Sequence, residues 1–316
     1  GVSSAESDVY KRQLFFHGLH QIAPPRAPQV PACQRGSFGQ ARGRNGQATM
    51  GVATYRRCIT DSTKARMNIV IITGASRGLG ASTALQAAMR GMGVILTYNS
   101  HAAGAEALVR TIEAEGGKAA ALALDVGKVA SFAGFRDRVA ATLEATWKRN
   151  SFDALVNNAG YGLFNPIASV SEAEFDGLLD VHLKGPFFLT QALLPLMADG
   201  GHIVNLTSAT TRVATPGVAP YAAFKGGLEV LTRYMAKEFG ARGIRANAVS
   251  PGAIRTDMTS DALDQSPGFE TQLAAQTALG RIGAPDDVGR VIASLLSPDN
   301  AWINAQTIEV AGGYNI

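Results

Sequence analysis

The amino-acid sequence predicts an α/β fold, a doubly wound sheet of seven parallel strands with helices on both faces. Three observations predict it. From residue 67 onward, short apolar runs alternate with segments of helical period, the pattern of consecutive βαβ units. The first run, Ile69-Val-Ile-Ile-Thr73, is apolar throughout rather than at alternate residues, as a strand covered on both faces requires. A glycine turn, Thr73-Gly-Ala-Ser-Arg-Gly-Leu-Gly80, joins that run to the first helical segment.

Taken in order, the strand at 69–73 leads through the glycine turn into a helix from Leu79 to about Arg90. Strand Val94–Tyr98 follows, then a helix from about Ala103 to Glu115 stopped by Gly116-Gly117. Strand 119–124, a helix over 131–147, strand 154–157, a helix over 172–197 and strand 202–206 come next. A helix from Tyr221 to Gly240, strand 244–249, a helix over 286–296 and strand 306–310 complete the pattern. The stretch Thr256–Leu279 breaks the rhythm after a strand's carboxyl end, where open α/β sheets bind ligands, and is expected to be a substrate lid.

Residues 1–66 carry no sustained period. Segments such as Ala23-Pro-Pro-Arg-Ala-Pro-Gln-Val-Pro31 cannot bury enough apolar surface to offset ordering, so the leader is expected to be disordered. Asp8-Val-Tyr-Lys-Arg-Gln13 resembles translated adapter or read-through text, and Met67 stands just before the first strand. The leader is therefore expected to be foreign to the native protein. An Arg-rich organellar targeting segment is the rival reading, but the prolines break the amphipathic helix it needs. The expected organisation is this leader followed by one domain over 67–316.

The leader also accounts for the basic balance. It holds ten Lys and Arg against three acids, leaving nineteen bases and twenty-two acids in 67–316. A body of formal charge −3 gives no electrostatic reason to bind nucleic acid or an anionic membrane, and neither is expected as a partner. No apolar run reaches the roughly 18–20 residues that span a bilayer. Both cysteines, Cys33 and Cys58, lie in the leader, so the body has no disulfide or thiolate catalyst, which suits a reducing, cytoplasmic setting. His17, His20 and Cys33 match no zinc spacing, and no metal site is expected.

The chemistry is carried by a few residues. Tyr221 and Lys225 are four apart, so they share a helix face and the ammonium can favour the ionised phenol. Gly74, Gly78 and Gly80, with Ser76, Arg77 and Leu79 between them, bring backbone N–H groups to a helix start, where a pyrophosphate can sit. Asn158, Ala159 and Gly160 end the fourth strand with small residues and an amide that let a flat ligand approach. An acid at the end of the second strand would hold the 2′-hydroxyl of NAD and repel the added phosphate of NADP. Asn99 and Ser100 stand there instead and Arg77 adds a cation, so NADP(H) is expected in preference to NAD(H).

With Ser208 just past a strand and Tyr221 at a helix start, these residues resemble the short-chain dehydrogenase/reductase family in its shorter single-domain branch, over about Met67 to Ile316. The resemblance implies a Rossmann-type sheet and an NAD(P)-dependent oxidoreductase interconverting a carbonyl and a secondary alcohol. It implies Tyr221 as general acid in reduction and base in oxidation, Lys225 holding the nicotinamide ribose and, with the oxidised ring, lowering the phenol's pKa, and Ser208 donating to the substrate oxygen. It also implies that Asp125 and Val126 contact the adenine, and that Pro251, Gly252, Ile254 and Thr256 belong to the segment holding the nicotinamide carboxamide.

Two departures from the family stand out. Ala311 occupies a position where an aspartate is usual, and His182 takes the place of an asparagine that holds a proton-relaying water. Imidazole can also bridge a water and carry a proton, so His182 joins the candidate catalytic residues, with a merely packed histidine as the alternative. Tyr161, Leu163, Phe164, Val213, Pro216, Met258 and Leu263 are expected to line a mostly apolar pocket. A 3-oxoacyl carrier-protein reductase is the alternative enzyme and a nucleotide-sensing regulator the alternative class. The outer faces of the helices through Phe187 and after Tyr221 are expected to pair in a homodimer or homotetramer.

Overall fold

In the computed structural model, which describes residues 67–266 and 268–316, the elements follow the predicted alternation. They are β1 (Ile69–Ile72), α1 (Gly78–Met89), β2 (Gly93–Tyr98), α2 (Ala102–Ala114), β3 (Ala119–Ala123), α3 (Phe132–Trp147), β4 (Phe152–Asn157), α4 (Glu172–Leu179), α5 (Gly185–Leu193), β5 (Met197–Leu206), α6 (Ala219–Glu238), β6 (Arg245–Pro251), α7 (Asp257–Gln265), α8 (Phe269–Ala275), α9 (Pro285–Leu295) and β7 (Thr307–Val310). The expectations placed on residues 1–66, including the His17, His20 and Cys33 grouping, lie outside the described residues.

The strands form one seven-stranded sheet in the order β3-β2-β1-β4-β5-β6-β7, with every neighbouring pair parallel. The chain winds outward from β1 to β3, returns to the centre at β4 and winds outward the other way. The β1/β4 pair is thus the switch point, and a crevice opens at the strands' carboxyl ends there. All four β1 side chains are fully buried. Val70 and Ile72 join Val94, Leu96, Val156 and Val204 under α1, α2 and α9, through Ala84, Leu108, Ile112, Val288 and Ile292. Ile69 and Ile71 join Ile95, Leu155 and Ile203 on the opposite face, under Phe135, Val139 and Leu143 of α3, Leu189 of α5 and Met235 of α6. Burial on both faces is why β1 shows no alternation.

One predicted helix is divided. Residues 172–197 form α4, a π turn over Asp180–Lys184, α5 and a 3₁₀ turn over Leu194–Leu196. Pro186 has no N–H to give the carbonyl four residues back, and its ring crowds that carbonyl, so the regular ladder cannot run through; Pro195 ends α5 likewise. Strand β5 starts at Met197, before the expected His202, because Met197 pairs with Phe152 ahead of a register shift, after which His202 pairs with Ala154.

The stretch 256–279 contains α7 and α8. Arg255, just before it, reaches Asp264 at 3.2 Å and also pairs with Glu270. Its far end is tied to the C-terminal tail by Ala278 N–H to Gly313 O (3.1 Å), Leu279 N–H to Gly312 O (3.1 Å) and Asn315 N–H to Gln276 O (2.9 Å). Arg212, four residues past Ser208, grips the same tail through Glu309 and the carbonyls of Tyr314 and Asn315.

Candidate active site

The glycine turn is shaped by contacts a side chain would block. Gly74 has φ +62°, and a Cβ there would lie 2.7 Å from the Ala159 Cα; at Gly80 it would lie 2.5 Å from the Gly74 carbonyl and 2.6 Å from Asn158 Nδ2. Asn158 ties the turn to β4 by donating from Nδ2 to the carbonyls of Thr73 (2.8 Å) and Gly74 (3.1 Å). The Thr73 hydroxyl oxygen receives the N–H groups of Asn158 (2.9 Å) and Ala159 (3.0 Å). Immediately after, α1 begins at Gly78 with no side-chain cap and no acid in its first turn. Its first N–H groups and the positive end of its dipole therefore face the crevice, which suits a pyrophosphate.

The other predicted cofactor residues surround this turn. Gly78 faces Thr256, 3.9 Å from a Cβ placed on the glycine. Thr256 starts α7 and accepts Thr259's hydroxyl at its backbone carbonyl (3.1 Å), while its own N–H donates to Thr259 Oγ1 (2.9 Å). Pro251 ends β6, Gly252 packs on Ala311, the unusual residue, and Ile254 bridges to Gly283. Asp125 accepts Gly127 N–H (3.0 Å) and pairs with Lys128 (3.2 Å), beside buried Val126. Asn99 and Ser100 are exposed at the end of β2. The Ser76 carbonyl comes close to Gly104 in α2, so the glycine turn and the segment after β2 meet. Arg77 is exposed and pairs at 3.5 Å with Asp257 of α7, a partner the sequence pattern did not suggest.

Ser208, Tyr221, Lys225 and His182 converge. Tyr221 lies in the first turn of α6, after Pro220, with Ser208 near enough to act on its phenol and favour the ionised form. The Ser208 oxygen itself accepts from Thr210 N–H (3.2 Å) and Thr210 Oγ–H (2.9 Å), which leaves its own proton to donate. Thr210 was missed in the sequence; the Ser-x-Thr spacing after a strand is the signal that could have revealed it. Lys225 is buried, donates from Nζ to Leu206 O (2.6 Å) and stands 5.6 Å from the Tyr221 ring centre. The His182 ring meets the Tyr221 ring edge-on, with centres 4.9 Å apart.

Burial sets the ionisation of these groups. The Lys225 ammonium is pulled down to about 7 by desolvation. The Tyr221 phenol is pushed above its ordinary value because desolvation outweighs the Ser208 hydrogen bond. The depression that Lys225 and the oxidised nicotinamide ring are together expected to supply is not present in the protein alone, where desolvation of the phenol prevails. His182 is held down to about 3, first by burial and then by the Lys225 charge, against a hydrogen bond with Tyr161 that raises it.

The expected pocket residues divide. Tyr161, Phe164 and Met258 are exposed beside the crevice, whereas Leu263 is buried. Met258 comes within 3.5 Å of a Cβ placed on Gly162, so α7 lies against the loop after β4. Among the described residues no cluster of His, Cys, Asp and Glu could hold a metal ion, and no helix is long and apolar enough to cross a membrane.

Residues 74–315 match the family model described as enoyl-(acyl carrier protein) reductase. The chain is 38% identical over 245 residues to an uncharacterised oxidoreductase of Methylorubrum extorquens, covering 78% of this chain and 96% of that one. It is 39% identical over 246 residues to the 3-oxoacyl-(acyl-carrier-protein) reductase FabG of Staphylococcus aureus, covering 77% and 96%. Among solved structures it is similar to the angucycline C-6 ketoreductase LanV with bound NADP, with a TM-score of 0.74, 32% identity and coverage of 78% and 95%. The reductase LugOII, described as catalysing keto-reduction at C1 in lugdunomycin biosynthesis, matches with a TM-score of 0.75, 31% identity and coverage of 80% and 100%.

Proposed function

The chain belongs to the short-chain dehydrogenase/reductase family, and from that premise we propose that it reduces an uncharged, apolar ketone to a secondary alcohol with NADPH, Tyr221 giving the proton. It is an NAD(P)-dependent oxidoreductase acting on the carbonyl and CH–OH pair. The observation that carries the finer reading is a buried Lys225, 5.6 Å from the Tyr221 ring, together with Ser208, just past the end of β5, acting on the Tyr221 phenol.

When bound, the nicotinamide supplies the hydride. Gly74, Ser76, Gly78, Leu79 and Gly80 with the α1 N-terminus hold the pyrophosphate. Asn158, Ala159, Gly160, Pro251, Gly252, Ile254 and Thr256 hold the nicotinamide half, and Asp125 and Val126 the adenine. Asn99, Ser100 and Arg77 receive the 2′-phosphate, so NADP(H) is preferred over NAD(H); solved relatives with bound NADP or NADPH favour this.

Ser208 donates to the carbonyl oxygen as charge builds on it. Tyr221, whose high pKa keeps its proton on at neutral pH, gives that proton to the same oxygen. The phenolate left behind is stabilised by the Lys225 ammonium. The proton that Tyr221 gives up is replaced from solvent before the next turnover, the Lys225 charge holding the phenolate meanwhile.

The loops around the site favour an uncharged substrate. Arg212 is paired with Glu309, and Arg255 with Asp264 and Glu270, while Tyr161, Phe164 and Met258 offer apolar surface. The likeness to FabG favours a second reading, reduction of 3-oxoacyl thioesters. NADPH oxidation measured with a panel of aromatic and aliphatic ketones against 3-oxoacyl thioesters decides between them. Turnover of ketones at kcat/KM at least tenfold above thioesters is expected, and the reverse order would overturn the ketone reading. We also propose that the exposed Phe187, Val230 and Tyr234 pair two copies of the chain.

A further inference from the structure

We propose that His182 is a positioning residue for the substrate pocket: its ring is wedged between Tyr221 and the Gly160–Tyr161 segment, fixes where the carbonyl meets the phenol, and does not carry protons. This rests on the reading of Tyr221 as the general acid.

The π turn makes the wedge. Of Asp180, Val181, His182, Leu183 and Lys184, only His182 is buried, so the extra residue in the turn drives this one side chain inward. Its Nε2 lies 2.8 Å from the Tyr161 carbonyl oxygen. A carbonyl can only accept, so Nε2 carries the hydrogen and Nδ1 keeps a lone pair. Nδ1 is buried without a partner among the described residues.

The fit on the other side is steric. A Cβ at position 160 would lie 2.7 Å from His182 Cε1 and 3.2 Å from Nδ1, so the bare Gly160 backbone is what admits the imidazole. Tyr161 is held next to it, its ring centre 5.6 Å from that of His182 and its hydroxyl against Gly177 of α4. One ring therefore touches both the proton donor and the half-exposed aromatic at the pocket's edge.

The surroundings explain why the ring is no relay. Lys225 and Tyr221 face it from α6 and Tyr161 from the loop after β4. Asp180, on its own turn, acts on Tyr161. Burial and the Lys225 charge keep the imidazole neutral at any pH near 7, with its only N–H spent on a backbone carbonyl. What it does is hold Tyr161 at the pocket's edge and pack against Tyr221, so its loss loosens the seat of the ketone rather than the proton transfer.

Steady-state kinetics on the wild type, His182→Ala and His182→Gln, with a ketone the wild type reduces, test this. Gln presents an amide N–H at nearly the reach of Nε2. Expected for His182→Ala are a KM for the ketone raised about tenfold, from an orphaned carbonyl and a loosened aromatic edge, and kcat within about threefold. The shape of the kcat–pH profile from pH 6 to 9 and the NADPH dissociation constant should be unchanged, and His182→Gln should recover most of the KM. A kcat lowered tenfold or more at unchanged KM, or a kcat–pH limb displaced in either variant, would overturn the proposal in favour of a proton-carrying role. Unchanged KM and kcat with only a lowered melting temperature would overturn it in favour of plain packing. If His182→Ala does not fold, His182→Phe fills the space without a donor and is expected to show the same raised KM. A wild type that reduces no ketone would defeat the functional reading itself, which these variants do not address.

Discussion

Replacing Gly74 with alanine tests whether the glycine turn is built for close approach. Two costs add. At φ +62° an L side chain sits in the left-handed region, which costs roughly 1–2 kcal/mol. The new Cβ would also lie 2.7 Å from the Ala159 Cα, a backbone atom fixed by the Thr73 hydroxyl, so β4's end must move by several tenths of an ångström or more. Overpacking of this kind costs about 1–3 kcal/mol. The sum, about 2–5 kcal/mol, corresponds to a melting temperature lower by roughly 4–20 °C in a domain of this size. Gly116→Ala is the matched control, since Gly116 has φ +80° with nothing within 4 Å of its Cβ and bears only the first cost. Urea melts of both variants, with NADPH titrated by fluorescence, should show Gly74→Ala losing at least about 1 kcal/mol more than Gly116→Ala and at least tenfold in NADPH affinity. Equal losses of stability, with NADPH binding unchanged in both, would refute the close-approach argument.

Three further outcomes are expected. Arg77→Ala should raise the KM for NADPH by about tenfold or more and leave that for NADH within about twofold, because only the 2′-phosphate loses a charge-assisted partner. Asp257→Asn should tighten NADPH binding by no more than about fivefold, since the exposed Arg77–Asp257 pair at 3.5 Å is weak; a larger or opposite change would count against Arg77 as the phosphate ligand. Stability should fall as the pH is lowered from about 6.5 toward 4.5. His182 and His202 are each held down to about 3 when folded, so the unfolded chain takes up protons across that interval and the folded one does not. Asp287, held down to about 2, contributes in the same direction only below about 4. A urea midpoint constant between pH 6.5 and 4.5 would contradict both histidine assignments.

What could be read in the sequence was local. The glycine turn, the Tyr221–Lys225 spacing and the Asn158-Ala-Gly160 strand end each declare themselves within a few residues of a recognisable strand or helix. So does the parallel sheet, through apolar runs such as Ile69–Ile72 that are buried on both faces. What could not be read depends on residues far apart in the chain or on burial. The division of the 172–197 helix follows from Pro186, which was visible, but the inward turn of His182 follows from a π turn that no spacing announces. Thr210 supports Ser208 through a hydroxyl direction, and Asp257 reaches Arg77 across 180 positions of sequence. The rise of the phenol's pKa in the protein alone was not legible either, because spacing shows that Lys225 is near, not that the phenol itself is desolvated.

The hydroxyl of Tyr221 as proton donor to a reduced carbonyl is the claim everything else serves. Its most direct measurement is transfer of deuterium from 4-deuterated NADPH to the carbonyl carbon of a ketone, followed by mass spectrometry in the wild type and in Tyr221→Phe, with NADPH binding measured in both. Label in the wild-type alcohol, a rate at least about a thousandfold lower in Tyr221→Phe and NADPH affinity within about threefold of wild type are the predicted result. Undiminished label transfer in Tyr221→Phe, or loss of NADPH binding together with activity, would contradict it.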